Sequence, residues 1–92
     1  MSAMFNEVVD IINKISGVDK SAVTLDSNLI SDLKIDSLDF LDITYEIDKK
    51  YNINIPVEEW VEEANSQTED AKLMFTLRHF LDRVQKLIDE KK

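Results

Sequence analysis

Cysteine is absent from the 92-residue sequence, and histidine, glycine, proline and tryptophan occur once each. Without cysteine the chain has no disulfide, no thiolate nucleophile and no cysteine-based metal site. With His79 as the one histidine, a metal site built from several histidines is excluded, and no serine lies beside a histidine in the sequence. We interpret His79 as an ordinary residue at the border of an apolar face. The scarcity of glycine and proline favours helices over a turn-rich sheet.

Long apolar runs and a basic excess are missing as well. No run approaches the about 18 apolar residues of a membrane-spanning helix. The N-terminal segment MSAMFNEVVD has neither the basic nor the apolar region of a signal peptide. The net charge of −8 argues against nucleic acid or an anionic membrane as a partner. We therefore expect a single monomeric domain, residues 1–92, in the cytoplasm.

The acidic side chains are concentrated in the middle of the chain. Residues 26–63 carry eleven acidic and three basic side chains, a net charge of −8, whereas residues 1–25 have −1 and residues 64–92 have +1. A localised acidic surface favours steered encounters with basic patches on partner proteins. The alternative is that the acidity only aids solubility, but solubility does not require such segregation.

Apolar residues at helical spacing predict an all-α fold. The predicted helices are residues 3–16, ended by Gly17; Ser37–Tyr51; a short helix from Pro56 to about Ala64; and a last helix from Ser66 or Thr68 to about residue 89. The apolar stripe of the last helix is Leu73, Leu77, Phe80, Leu81, Val84, Leu87 and Ile88. A long loop, with a helical turn near residues 27–33, separates the first two helices. We therefore predict a four-helix bundle with a long first loop.

The stretch DLKIDSLDF places one serine, Ser37, at the start of the second helix. Asp36 is predicted to be the N-cap, with Ser37 at the first helical position and Asp39 at the third. The positive end of the helix dipole and its unpaired N–H groups favour an attached phosphate. They do little to make serine a nucleophile, because an Asp with an ordinary pKa is a poor base. The alternative is that Asp36 and Ser37 only cap the helix.

The second helix has a mixed face beside this serine. Leu38, Leu41 and Tyr45 are apolar but lie off the stripe that Phe40, Ile43 and Ile47 form, and three acids accompany them: Asp39, Asp42 and Glu46. A solvated face does not need three large apolar residues. Apolar residues among acids are typical of a docking surface.

The segment DSLDFLDITYEID resembles the D-S-L motif and second helix of acyl carrier proteins. The resemblance extends through VTLDSNLISDL before the motif and YNINIP after it, roughly residues 5–60. Those proteins are four-helix bundles with a long first loop. A phosphopantetheinyl transferase attaches 4′-phosphopantetheine to the motif serine, and acyl groups are carried as thioesters on the cofactor's thiol.

The resemblance implies roles for individual residues of this chain. Ser37 is then the attachment site, and Asp36 assists recognition or metal binding in the transferase complex. The chain itself is then not an enzyme and holds no metal of its own. The second helix then docks onto basic patches of ketoacyl synthases and acyltransferases through Leu38, Asp39, Leu41, Asp42, Tyr45 and Glu46.

Two departures from the general pattern stand out. Lys34 occupies the place of a glycine that usually lies two residues before the motif Asp, where glycine would permit an unusual backbone angle. After about residue 60 the chain differs from ordinary members by its longer C-terminal region. DSLDFLDI, IPVEEWVEE and that region resemble specialised carriers of very-long-chain or hydroxylated acyl groups for lipid A of Gram-negative bacteria.

Apolar residues on helices two to four are candidates for a groove that holds an acyl chain. They are Phe40, Ile43, Ile47, Trp60, Val61, Met74 and Phe75. Burying a chain there would contribute about 0.8 kcal/mol per CH₂ group. The alternative, for Trp60, Met74 and Phe75 above all, is ordinary core packing.

Other functions remain open at this point. Within the same class, the chain could be a general fatty-acid carrier or a stand-alone polyketide or peptide carrier; Asp36 and the acidic cluster argue against a peptide carrier. In a different class, it could be an unmodified acidic adaptor that uses the same bundle as a binding module. No catalytic constellation can be assembled from the sequence.

Overall fold

The computed structural model describes residues 2–66 and 68–91 as an all-helical protein, as the sequence predicts. The helices are α1 (Ser2–Ser16), α2 (Ser37–Tyr51), α3 (Val57–Ser66), α4 (Glu69–Met74) and α5 (Leu77–Lys91), with one 3₁₀ turn at Lys20–Ala22. None of the helices in this part of the chain is long and apolar enough to cross a membrane.

The ends of α1 and α2 are set by residues in the left-handed backbone region. Gly17, with φ of 79°, ends α1 as predicted, and its N–H donates to Asn13 at 2.9 Å. Asn52, with φ of 55°, ends α2 in the same way. Both conformations suit these residue types, since glycine has no Cβ and asparagine tolerates this region better than most.

The core lies between α1, α2, α3 and α5, with the long loop on one side. Its fully buried side chains include the predicted stripe of α2, which is Phe40, Ile43 and Ile47. Aromatic rings connect the helices edge to face: Phe40 lies 5.6 Å from Phe75 and 6.0 Å from Phe80, measured between ring centroids. Such pairs stabilise beyond their buried area by about 0.5–1.5 kcal/mol.

A half-buried hydrogen bond joins α1 to the end of α2. The hydroxyl of Tyr51 donates to the carboxylate of Glu7, and Lys50 lies 3.9 Å from the same carboxylate. Burial, followed by this hydrogen bond and the charge of Glu7, raises the pKa of the Tyr51 phenol well above its ordinary value. Tyr51 therefore stays a donor at neutral pH.

The prediction of one long last helix is wrong, because the helix is broken at Phe75 and Thr76. Of the two predicted starts, Ser66 is wrong, whereas Thr68 agrees with the structure. Ser66 is the last residue of α3, where its hydroxyl donates to the carbonyl of Glu63 at 2.8 Å, and α4 begins directly after Thr68. Leu73 is 55% exposed instead of buried, because the break interrupts the spacing that would place it on the stripe of α5.

The long loop explains the break, since its backbone pairs with the interrupted segment. The N–H of Leu29 donates to the carbonyl of Phe75 at 2.9 Å, and the N–H groups of Leu77 and Arg78 donate to loop carbonyls at 2.8 and 2.9 Å. These bonds occupy backbone groups that a continuous helix would satisfy within itself. We call this pairing of residues 25–29 with residues 72–78 the loop clasp.

Asn28 is the central residue of the loop clasp. Its side-chain Nδ2 donates to the carbonyl of Lys72 at 2.6 Å, and its Oδ1 accepts from the N–H groups of Ile30 and Ser31, each at 2.9 Å. Its own N–H donates to Asp32, and its carbonyl accepts the N–H of Asp32 at 3.0 Å, which closes the predicted turn near residues 27–33. Asn28 thus stabilises the turn within the loop and also binds the loop to α4.

We expect Asn28→Asp to lower the free energy of unfolding by about 0.5–1.5 kcal/mol, because the shape is kept while the donor to Lys72 is lost. The new carboxylate also faces that carbonyl oxygen. The measurement is the midpoint of urea unfolding. Asn54→Asp is the matched control, since Asn54 is exposed. Equal midpoints for the two variants would contradict the assigned role of Asn28.

Candidate functional site around Ser37

Ser37 is the first residue of α2, and Asp36 is its N-cap, as predicted. Asp36 has extended backbone angles, and its Oδ1 accepts the N–H of Asp39 at 2.9 Å. Its carbonyl accepts the N–H of Phe40 at 2.9 Å. The N–H groups of Ser37 and Leu38 have no partner among the described residues. The exposed hydroxyl of Ser37 therefore lies beside free donors and the positive end of the helix dipole.

Within the described residues, no base is hydrogen-bonded to the hydroxyl of Ser37. Asp36 uses one carboxylate oxygen as the helix cap. His79 is half-buried on α5, at the border position that the sequence indicates, and its Nδ1 has no hydrogen-bond partner in the described part of the chain. A nucleophilic serine needs a base within reach. This arrangement suits Ser37 to be modified by another protein rather than to attack a substrate.

A cavity of about 210 Å³ opens beside Ser37. It lies between the end of the loop, the start of α2 and the side of α3, and most of its lining residues are apolar. Its lining is Ile30, Ile35, Asp36, Ser37, Phe40, Val61, Ala64 and Asn65. We call it the serine cavity. An apolar group attached through Ser37 could leave water by entering it.

A second cavity of about 230 Å³ shares Ile30, Ala64 and Asn65 with the serine cavity. Its remaining lining comes from the loop, α4 and the helix break: Asn28, Ser31, Lys72 and Phe75. We call it the clasp cavity, because the loop clasp forms one wall. Together the two cavities lead from Ser37 to α4.

The candidate groove residues fall into two sets. Phe40 and Val61 line the serine cavity, and Phe75 lines the clasp cavity. The others line neither cavity and pack in or against the core: Ile43, Ile47, Trp60 and Met74. The sequence reasoning missed Ile30, Ile35, Ala64 and Asn65 as lining residues. Ile30 and Ile35 could have been found, because they are apolar residues in a loop that has no helical period.

The outer face of α2 is apolar and acidic. Leu38 is 73% exposed, Leu41 40% and Tyr45 61%, so the three residues lie outside the core as their spacing predicts. Asp42 is exposed beside them, while Asp39 and Glu46 are half-buried. We call these six residues the α2 face. Lys49 borders it, 3.2 Å from the Glu46 carboxylate and 4.9 Å from the Tyr45 ring centroid.

Lys34 adopts a left-handed backbone conformation of the kind that glycine adopts without strain. Its φ is 55°, in the left-handed region that side chains other than those of glycine and asparagine rarely occupy. The next residue, Ile35, is buried, and its N–H donates to the carbonyl of Leu29 at 3.0 Å. The exposed Lys34 side chain has no ion-pair partner among the described residues. The loop therefore keeps its path to Ser37 at the expense of backbone strain.

Comparison with known proteins agrees with this geometry. The family model for the phosphopantetheine attachment site matches residues 6–66, which end with α3. The chain is 41% identical to acyl carrier protein AcpXL of Brucella melitensis over 92 residues, covering all of this chain and 99% of that protein. It is 41% identical to acyl carrier protein AcpXL of Rhizobium etli over 87 residues, 95% of each chain. With an acyl carrier protein of Guillardia theta, identity is 45% over 53 residues, 58% of this chain and 65% of that protein.

The chain therefore belongs to the acyl carrier protein family. Its cofactor is covalently attached 4′-phosphopantetheine, which supplies the thiol that this cysteine-free sequence lacks. The region around Ser37 fits such a group: a reachable hydroxyl, two free N–H groups for a phosphate, and an apolar cavity alongside.

We expect Lys34→Gly to stabilise the fold by about 0.5–1 kcal/mol. Relief of a left-handed cost of about 1–2 kcal/mol outweighs the added freedom of glycine in the unfolded chain. Lys34→Ala is the control, because it removes the same charge but keeps the strain. Thermal or urea unfolding measures both; an equal gain in the two variants would assign the effect to the charge.

Proposed function

We propose that Ser37 carries the 4′-phosphopantetheine and that the chain, residues 1–92, acts as one carrier of acyl thioesters. The observation that carries the proposal is the position of Ser37, exposed at the start of α2 and at the edge of an apolar cavity. A transferase can reach the hydroxyl from the solvent side, while the group that it attaches can enter the serine cavity. No other serine of the sequence lies in a D-S-L motif.

The residues around Ser37 hold and orient the phosphate end of the cofactor. The free N–H groups of Ser37 and Leu38 and the dipole of α2 favour a negative charge there, by about 0.3–1 kcal/mol at an exposed site. Asp36 fixes the first turn through Oδ1 and keeps Oδ2 without a partner among the described residues. That oxygen is available to a transferase or to a metal ion which the transferase brings.

The α2 face is proposed as the docking surface for partner proteins. Its exposed apolar residues offer area that becomes buried only on docking, and its acids attract basic patches and align them. The partners are then the phosphopantetheinyl transferase and the ketoacyl synthases and acyltransferases that load or use the acyl chain. This chain contributes tethering, recognition and shelter, and those enzymes catalyse the reactions.

We propose that the protein is a specialised carrier, and that its cargo is a long acyl chain for lipid A synthesis. Support comes from the C-terminal region, because identity to the AcpXL proteins spans α4 and α5, whereas identity to the Guillardia protein covers 58% of the chain. The clasp cavity, which needs α4 and the helix break, adds space next to the serine cavity. Loading with acyl chains of graded length separates this cargo from that of a general fatty-acid or polyketide carrier, and a preference confined to short chains would count against it.

We expect coexpression with a phosphopantetheinyl transferase to add one phosphopantetheinyl group to the chain, and Ser37→Ala to abolish this gain. Intact-protein mass spectrometry measures it. Ser21→Ala is the matched control, since Ser21 is also exposed and its hydroxyl also lies beside a capping aspartate, Asp19. A gain that persists in Ser37→Ala would refute the site. Partner binding that survives Ser37→Ala, with no modification of the unsubstituted chain, would favour the unmodified adaptor.

We expect Asp42→Lys to lower the rate constant of modification at low salt by about 10-fold, because it reverses a charge on the α2 face. The difference should shrink as salt is added, since screening weakens steering. Glu90→Lys, on the exposed side of α5, changes the net charge equally and should alter the rate constant far less. Equal effects of the two substitutions would show that net charge matters rather than the α2 face.

A further inference from the structure

Arg83 on α5 holds two residues of α3 at once. Its guanidinium carbon lies 4.0 Å from the ring centroid of Trp60, and its Nη1 lies 2.9 Å from the carboxylate Oε2 of Glu63. Trp60 and Glu63 are three residues apart and therefore neighbours on one side of α3. The Trp60 ring in turn packs edge to face on Phe80, with centroids 5.5 Å apart. We call Arg83, Trp60 and Glu63 the α3 clamp.

The ion pair of the α3 clamp is less exposed than the other arginine ion pair of α5. The Arg83 and Glu63 side chains are 17% and 41% exposed, whereas Arg78 and Asp26, also 2.9 Å apart, are 48% and 83% exposed. The paired atoms of Arg83 and Glu63 are buried and not aligned as a hydrogen bond. A desolvated pair of this kind stabilises a fold no better than apolar residues of similar size. Its distinctive property is that it fixes one geometry, because guanidinium stacking and charge pairing are both directional.

The position of α3 sets the width of both cavities. Val61, Ala64 and Asn65 of α3 line the serine cavity, and the last two also line the clasp cavity. A row of edge-to-face rings leads from the α3 clamp to the same spaces. It runs from Trp60 through Phe80 to Phe40, which lines the serine cavity, and on to Phe75, which lines the clasp cavity. A shift of α3 away from α5 would therefore change the space that an acyl chain can fill.

We propose that Arg83 is a positioning residue that sets the length of acyl chain the protein shelters. The inference rests on the proposed carrier function. The α3 clamp holds α3 against α5, so the wall that α3 contributes to the two cavities has a fixed position. Chains that fill them gain burial with each carbon, and longer chains leave their ends in water. Loosening the clamp lets α3 yield and moves that limit to longer chains.

The test uses holo-protein loaded with a homologous series of even-numbered saturated acyl chains, each form checked by intact mass. The rise in Tm over the unacylated holo-form is measured for each chain. In the unsubstituted protein the rise in Tm should increase with the length of the acyl chain and then level off; we call the chain length at which it levels off the levelling point. In Arg83→Gln it should level off at least one member of the series later. The emission of Trp60, the one tryptophan of the chain, should shift to the red.

Lys86→Gln is the matched control, because it removes a positive charge from the exposed side of α5 and lies outside the loop clasp. It should leave the levelling point unchanged, and Arg83→Lys, which keeps a cation over the ring, should lie between the two glutamine variants.

Should Arg83→Gln not fold, Glu63→Gln gives the same test with the stacking intact. A uniform fall in Tm with an unchanged levelling point would overturn the proposal for Arg83 alone. An unsubstituted chain that gains no phosphopantetheinyl mass would overturn the carrier function as well.

Discussion

The loop clasp is the interaction on which the rest of the structure depends. The long loop contributes buried side chains to the core and lines both cavities, yet it has no regular secondary structure between residues 23 and 36. A loop of this kind keeps one path only if its backbone groups are paired elsewhere. The break between α4 and α5 provides partners for them. The same bonds that end α4 thus hold the wall of the site and deliver Ile35 and Asp36 to the start of α2.

This dependence links distant parts of the sequence to Ser37, the proposed attachment site. Asn28 is bonded to α4, and seven residues later Ile35 is buried and bonded to Leu29. Between them Lys34 keeps a left-handed backbone. The hydrogen bonds on either side fix the backbone at residue 34, so the strained conformation is kept there. The strain is tolerated because the fold requires this backbone conformation at position 34, whichever residue occupies it.

The sequence predicts well those features that depend on neighbours along the chain. The cap at Asp36, the stop at Gly17, the span of α2 and its exposed apolar residues all follow from local rules of capping and helical spacing. The break at Phe75 and Thr76 could not be predicted, because the surrounding residues are spaced as in one helix and only bonds to residues some fifty positions earlier disrupt it. The cavities were missed for the same reason, since Ile30 and Ala64 meet only after the loop is clasped.

The α2 helix presents three different sets of residues in three directions. Its first turn presents Ser37 and free N–H groups, its inner side packs Phe40, Ile43 and Ile47 into the core, and its outer side exposes Leu38, Leu41 and Tyr45. A helical period of 3.6 residues makes this possible in fifteen residues. Because the outer apolar area stays in water when the chain is alone, it adds nothing to folding and becomes favourable only when a partner covers it. The stability of the bundle and the affinity of the proposed docking surface can therefore vary independently, which suits the proposed passage of the carrier from one enzyme to the next.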